Sequence, residues 1–244
     1  MSAPWNGTAG AHRVIGAGRG PLRQAPDFDG LAGIYRWMEW LTFGPWLWRC
    51  RCAHLGELQS RRSALLLGDG DGRFTARLLN ENHSVVVDAI DASPAMLAAL
   101  MRRAGSNGNR VRTRAADLRA WQPEREDYDL IVTHFLLDCL TTEEIAELAA
   151  KLWPHLGPDC VWVVSEFSVP PGWFGRIFAF PLVSALYRAF RLLTGLTISN
   201  LPNHRAALGS AGFAVVSQRT WLRGLLSSEL WVPANVTNML KSTG

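Results

Sequence analysis

The sequence predicts an α/β fold, a mostly parallel sheet covered on both faces by helices. Three observations carry that expectation. Short apolar runs that suit buried strands alternate with segments of helical spacing from Ala64 to Phe167. The first run ends in the turn Gly68-Asp69-Gly70-Asp71-Gly72, and glycines there let backbone approach a ligand closely. The loops that follow the runs open on Gly68, Asp91, Asp117, His134 and Glu166, at the carboxyl ends of strands, where such sheets bind ligands.

Each element has its own local reason. Ala64–Leu67 is a buried strand stopped by glycines, and Arg73–Asn80 follows with helical spacing. Val85–Asp91 is a valine-rich second strand. Ser93 and Pro94 then open a helix as N-cap and first helical residue, with Met96, Leu97 and Leu100 as its apolar stripe. Val111–Ala115 is a weaker strand, and Tyr128–Phe135 a strong one. Thr141-Thr142-Glu143-Glu144 is a capped start for a helix running to about Leu152. Cys160–Phe167 is a further apolar strand. Phe213–Gln218 and Glu229–Val232 are two late strands joined around Arg223-Gly224.

Composition bounds the classes. The chain has 244 residues, 48% of them hydrophobic and 19% charged, ample for one large domain and its core. The net charge of +4 comes almost entirely from scattered arginines, without the basic run and interleaved aromatics of a nucleic-acid track. Cys50 and Cys52 have no second pair at zinc spacing, so no metal is expected and the four cysteines read as thiols of a reducing cytoplasm. The longest uncharged apolar stretch, Ile177–Tyr187, contains Pro181 and falls well short of the about 20 residues of a membrane span. Residues 1–30 read as a flexible arm and 31–244 as one domain, with leading cap helices over 31–60 and a lid insertion over 170–201.

The turn names its ligand by charge. Carboxylates at Asp69 and Asp71 would repel a dinucleotide's diphosphate, increasingly so as water is excluded. S-adenosylmethionine has no phosphate and carries a sulfonium and an ammonium. Asp91, 19 residues after Gly72, can accept both hydroxyls of a ribose. Asp117 could accept from an adenine amino group.

With these pieces in order, the stretch from Leu65 to Gly212 resembles class I S-adenosylmethionine-dependent methyltransferases, most of all the small-molecule and quinone branch. The matching residues are the glycine turn, Asp91-Ala92-Ser93-Pro94-Ala95-Met96-Leu97, Asp117-Leu118 and Asp129-Leu130-Ile131-Val132. The resemblance implies a three-layer Rossmann-like sandwich around a seven-stranded sheet whose last strand is antiparallel. It implies cofactor contacts from Tyr35, Gly68, Asp69, Gly70, Gly72, Asp91, Ala92, Met96, Ala116, Asp117, Leu118, Thr133, His134 and Phe135. One departure stands out: the acid usual two positions before the first glycine is Leu66 here.

Methyl transfer needs an oriented acceptor first and a base only if the acceptor must lose a proton. His134 is the candidate base. Asp138, four residues on, would orient it if a helix has begun, and Glu166 would face the acceptor from the end of its strand. For each there is a plainer role: packing for His134, capping for Asp138, a loop hydrogen bond for Glu166. Segment 173–196 sets Val183, Leu186, Tyr187, Phe190 and Leu193 on one side and Ser184, Arg188 and Arg191 on the other. It reads first as a lid, then as a weak membrane contact or a homodimer contact. The expected function is methyl transfer from S-adenosylmethionine to a small, largely apolar, aromatic acceptor. The rivals are a protein that binds S-adenosylmethionine without transferring methyl and a nucleotide-dependent oxidoreductase.

Overall fold

The computed structural model describes residues 44–173, 175–185 and 202–234. The expected arm, Tyr35 and the apolar stripe from Leu186 onward lie outside them.

Helix α1 (Pro45–Arg51) leads into β1 (Ser63–Leu67), α2 (Arg73–Glu81), β2 (Val86–Asp91), α3 (Pro94–Ala104), β3 (Val111–Ala115) and β4 (Tyr128–His134). The chain continues through α4 (Thr142–Leu152), β5 (Leu156–Phe167), a π-helical turn (Gly175–Ala179), α5 (His204–Ser210), β6 (Phe213–Trp221) and β7 (Leu226–Pro233). The strands form one seven-stranded sheet in the order β3-β2-β1-β4-β5-β7-β6. Pairings from β3 to β5 are parallel, and β7 runs antiparallel to both of its neighbours. The expected seven-stranded architecture is thus present, with β7 as its antiparallel strand.

Local sequence explains the helix starts. Ser93 Oγ accepts from Met96 N–H at 3.2 Å, and Pro94 fills the first helical position of α3. At α4, the Thr141 hydroxyl accepts from Glu144 N–H and the Glu144 carboxylate accepts from Thr141 N–H, a full capping box.

Period-two alternation along β1 builds two layers. Leu65 and Leu67 face a core with Ile131, Trp162 and the apolar residues of α4 and α5. Ala64 and Leu66 face the other core, with Phe74 and Leu78 of α2 and Leu97 and Leu100 of α3. Leu66 is fully buried among these hydrocarbons. A third cluster joins Leu47 and Cys50 of α1 to Phe135, Ala179, Val183, Leu225 and Leu226.

The chain leaves β1 toward β2 and β3 and returns to the other side of β1 as β4. The carboxyl ends of β1 and β4 are therefore the switch point, where an open α/β sheet leaves a crevice. The glycine turn and the loop from Phe135 meet there. Among the described residues no helix is long and apolar enough to cross a membrane.

Candidate functional site

Three glycines of the turn have positive φ: 65° at Gly68, 63° at Gly70 and 77° at Gly72. Gly68 N–H donates to the Ile90 carbonyl at 2.8 Å, tying the turn to β2. A Cβ at Gly68 would meet the Leu136 side chain at 2.7 Å, whereas one at Gly70 would have nothing within 4 Å. The turn is thus closed at Gly68 and open at Gly70.

Asp91 stands beside that opening at the end of β2. Its Oδ2 accepts from Gly70 N–H at 3.3 Å and its Oδ1 from Ser93 N–H at 2.9 Å. These amides fix the orientation of the carboxylate at the mouth of the turn.

The two acids inside the turn have other work than the charge argument gave them. Asp69 is buried and turned toward α2. Its Oδ2 accepts from Thr75 N–H at 2.9 Å and from Thr75 Oγ1 at 2.5 Å, satisfying a first-turn amide that Gly72 as N-cap cannot serve. Burial pushes its carboxyl up to about 6, against the pull of the Thr75 bonds and of Arg51. Asp71 is ion-paired with Arg103 at 3.0 Å and Arg73 at 3.2 Å. The turn therefore presents little net negative charge, and repulsion of a diphosphate does not follow from these two side chains. What Asp69 does offer is Oδ1, a buried atom with no hydrogen-bond partner among the described residues.

His134 is buried at the end of β4, its ring edge-on to Phe74 with centroids 4.5 Å apart. Neither ring nitrogen has a partner among the described residues. Burial, then the nearby charges of Arg51 and His54, hold it well below the ordinary histidine range, so it is neutral at physiological pH. Arg51, at the end of α1, is the residue that sequence reasoning missed. Its guanidinium stacks over Phe135, 5.4 Å from the ring centroid, and its field also reaches Asp69 and His134.

Asp138 does not orient His134; its electrostatic partner is Glu166. Glu166 Oε1 accepts from Leu136 N–H at 3.1 Å and Leu137 N–H at 2.9 Å, which pins the turn after β4. Burial and the adjacent Asp138 carboxyl drive the Glu166 acid well above its ordinary value of 4.5. Two buried carboxyls at one site cannot both ionise cheaply. A raised folded-state value means stability present below about pH 4.5 and lost as pH rises through that value. Glu166→Gln keeps the acceptor for both amides and removes the ionisation. Its unfolding midpoint in urea is expected to match the parent in acid and to exceed it increasingly toward alkaline pH. A midpoint below the parent's at every pH would show that the carboxylate itself is needed.

The remaining expected contacts divide. Met96 lies half-buried in the first turn of α3, and Ala92 is exposed just before it. Ala116 N–H donates to the Asp91 carbonyl at 3.0 Å, so the segment after β3 is tied to the end of β2. Asp117 is exposed beyond β3 and accepts from Arg119 N–H at 3.0 Å, while Leu118 packs on the core. The Thr133 hydroxyl is withdrawn into the opposite layer, accepting from Trp162 Nε1–H at 3.0 Å. Phe135 takes φ 55° to turn out of β4 and packs against Phe167 with centroids 5.0 Å apart. The structure thus gathers Gly68, Gly70, Asp69, Asp91, His134, Phe135 and Arg51 around the switch point, and leaves Thr133 out.

Residues 64–159 match the family described as "Methyltransferase domain". The chain is 33% identical over 110 residues to N-terminal Xaa-Pro-Lys N-methyltransferase 1 of Rattus norvegicus, and 32% to that of Bos taurus, in each case over 45% of this chain. It spans about half the length of these curated relatives, 49%. Among solved structures, the mitomycin 7-O-methyltransferase MmcR superposes with a TM-score of 0.64 at 12% identity, covering 85% of this chain and 60% of its own. The pyocyanin biosynthetic protein PhzM gives 0.60 at 16% identity, over 85% and 62%. An S-adenosylmethionine-dependent methyltransferase from Mesorhizobium loti gives 0.58 at 17% identity, over 75% and 97%.

Proposed function

We propose that this protein is a class I, S-adenosylmethionine-dependent methyltransferase that methylates a small, largely apolar aromatic acceptor in the cytoplasm, a reading supported by the match of residues 64–159 to the family described as "Methyltransferase domain". The observation that carries the acceptor class is the third apolar cluster. Phe135, Phe167, Ala179, Val183, Leu225 and Leu226 lie together where β4 and β5 end, and Arg51 is the charged group stacked on that wall. Such a surface suits an aromatic ring and offers little to a charged peptide. In this reading the described part of the 170–201 segment serves as a lid, since its Ala179 and Val183 belong to the same apolar cluster as Phe135. The unpaired thiols of all four cysteines suit a reducing compartment.

The residues present fit the cofactor. The turn is open at Gly70, where backbone can approach a nucleoside. Asp91 would accept from the ribose hydroxyls. The partnerless Oδ1 of Asp69 is an acceptor for an ammonium, and Arg51 close by is a donor for a carboxylate. Together they suit the two ends of an amino acid and take the place of the acid absent at position 66.

When bound, the cofactor supplies a methyl carbon already activated by sulfonium, with a neutral thioether to leave. The chain's own task is then orientation, worth roughly 7–11 kcal/mol for a well-placed pair. Phe167 and the edge of Phe135 exclude water and hold the acceptor's ring, with Leu226 packed behind them. His134 stays neutral and offers a hydrogen bond rather than a charge. Two outcomes follow. Incubating the full chain with the cofactor and a panel of phenols, indoles, quinones and a Xaa-Pro-Lys peptide is expected to give methylated product with aromatic acceptors. Product with the peptide alone, or with nothing although the cofactor binds, would overturn the acceptor class or the transfer. Second, the kcat–pH profile of an accepted substrate is expected to have no inflection near pH 6.5, because His134 is held below it. His134→Ala should weaken cofactor or acceptor binding by about tenfold, the worth of one hydrogen bond at a buried site. An acid limb at about 6.5 that vanishes in this variant would make His134 the base.

A further inference from the structure

The helical segment that leaves β5 is packed inside out. Gly175, Ala179 and Val183, spaced by four, are buried. Gly175 lies so tightly beneath Pro170 that a Cβ there would collide with the Pro170 carbonyl. The large apolar side chains face outward: Trp173 is 64% exposed, Ile177 61%, Phe178 56% and Phe180 58%. Trp173 and Phe178 stack edge to face on this outer surface, centroids 6.2 Å apart. A helix meant only to cover a crevice would bury its large residues and expose its small ones. A contiguous patch of this kind marks a contact surface.

Charge identifies what the surface contacts. From Phe167 to Ser228 the sequence has no acidic residue and six arginines. Arg205 and Arg219 of that stretch are neutralised by Glu229 and Glu57. Arg176 is exposed within the patch itself, and Arg188 and Arg191 follow in the sequence. A second copy docked here about a two-fold axis would bring Arg176 toward its own mate, with no carboxylate anywhere in the stretch to offset it. An anionic lipid surface supplies the missing negative charge and the apolar depth that Trp, Phe and Ile need, with tryptophan at the level of the headgroups. We infer that residues 173–185 form an interfacial membrane contact, selective for anionic lipid, through Trp173, Ile177, Phe178 and Phe180 with Arg176 at the headgroups.

The inference stands on packing and charge and does not depend on the reaction. It is tested by sedimenting the full-length chain with vesicles of phosphatidylcholine alone and of phosphatidylcholine mixed with phosphatidylglycerol. Binding to the anionic vesicles is expected, weakened roughly tenfold or more on neutral ones. Phe178→Ser combined with Phe180→Ser is expected to weaken it by about tenfold or more, with little change in melting temperature because both rings are more than half exposed. Arg176→Glu should erase the preference for anionic lipid. S-adenosylmethionine binding, measured by calorimetry on the same variants, should not move, so a failure of the methyltransferase reading would register separately. The inference is overturned if neither vesicle binds the chain, or if binding is indifferent to these substitutions. It is also overturned if light scattering shows a dimer that the Phe178→Ser, Phe180→Ser variant dissolves, which would assign the patch to a second copy.

Discussion

Gly72→Ala is expected to remove about 2–5 kcal/mol of folding stability. Two costs meet at this position. Its φ of 77° lies in the left-handed region, where a side chain costs roughly 1–2 kcal/mol. The added methyl would stand 2.5 Å from Leu100 Cγ and 2.6 Å from Leu100 Cα. A side-chain tip can swing aside, but the Cα belongs to α3, whose Leu97 and Leu100 are seated in the core beneath β1. Relief therefore requires moving a helix, and overpacking of that sort costs typically about 1–3 kcal/mol. Against a total stability of about 5–15 kcal/mol the loss is large. Gly70→Ala is the control. It carries the same positive φ but no neighbour within 4 Å, so it should lose only about 1–2 kcal/mol. Its methyl would stand where the cofactor's nucleoside is proposed to lie, so its main effect should be on cofactor affinity. Urea denaturation and calorimetry of the two variants are expected to separate the roles: stability at Gly72, binding at Gly70. Equal stability losses at both positions would mean that the turn tolerates no side chain anywhere and that packing against Leu100 is not the determinant.

What the sequence disclosed, and what it hid, divides along a physical line. Strands, helix starts and the switch point are set by near-neighbour patterns. Apolar runs closed by glycine, Ser93 before Pro94, and Thr141 with Glu144 each declare themselves within a few residues. The direction a polar side chain takes within a turn is not set locally. Asp69 and Asp71 are equally acidic on paper, yet one folds under α2 to hold Thr75 and the other swings to Arg103, 32 residues away. Thr133 follows the strand's period of two, and counting from Ile131 would have placed it on the Trp162 side. The Asp138–Glu166 coupling joins the turn after β4 to the end of the neighbouring strand, so no spacing announces it. Arg51 comes from a helix that precedes the sheet, and only packing decides which arginine of the leading segment reaches the crevice. The one clue was an absence, the leucine at 66 where the resemblance led one to expect an acid. The outer segment was hidden for a related reason: nothing in the local spacing announces that Gly175 packs beneath Pro170 while Trp173, Ile177, Phe178 and Phe180 are left facing outward.

Asp91→Ala is expected to weaken S-adenosylmethionine binding by roughly 10²–10³-fold, the worth of one or two charge-assisted hydrogen bonds of about 1.5–3 kcal/mol each. The residue is suited to hold a diol because its position is already fixed. Gly70 N–H and Ser93 N–H orient its two oxygens, so little rotamer freedom is left to lose on binding, and freezing a side chain is one of the costs that erode affinity. The same bonds complicate the measurement, since alanine also releases two backbone amides beside the glycine turn. Asp91→Asn separates the two effects. It keeps an acceptor for one amide, turns a donor toward the other and loses the charge, so its melting temperature should fall less than that of Asp91→Ala while affinity falls by about tenfold or more. A cofactor analogue lacking the ribose hydroxyls closes the test. The parent should bind it as weakly as Asp91→Ala binds the true cofactor. The variant should bind analogue and cofactor alike, because the missing partner has already removed that interaction. If the variant still discriminates between them by more than about threefold, another group reads the ribose, and Asp91 serves only to brace the turn at Gly70.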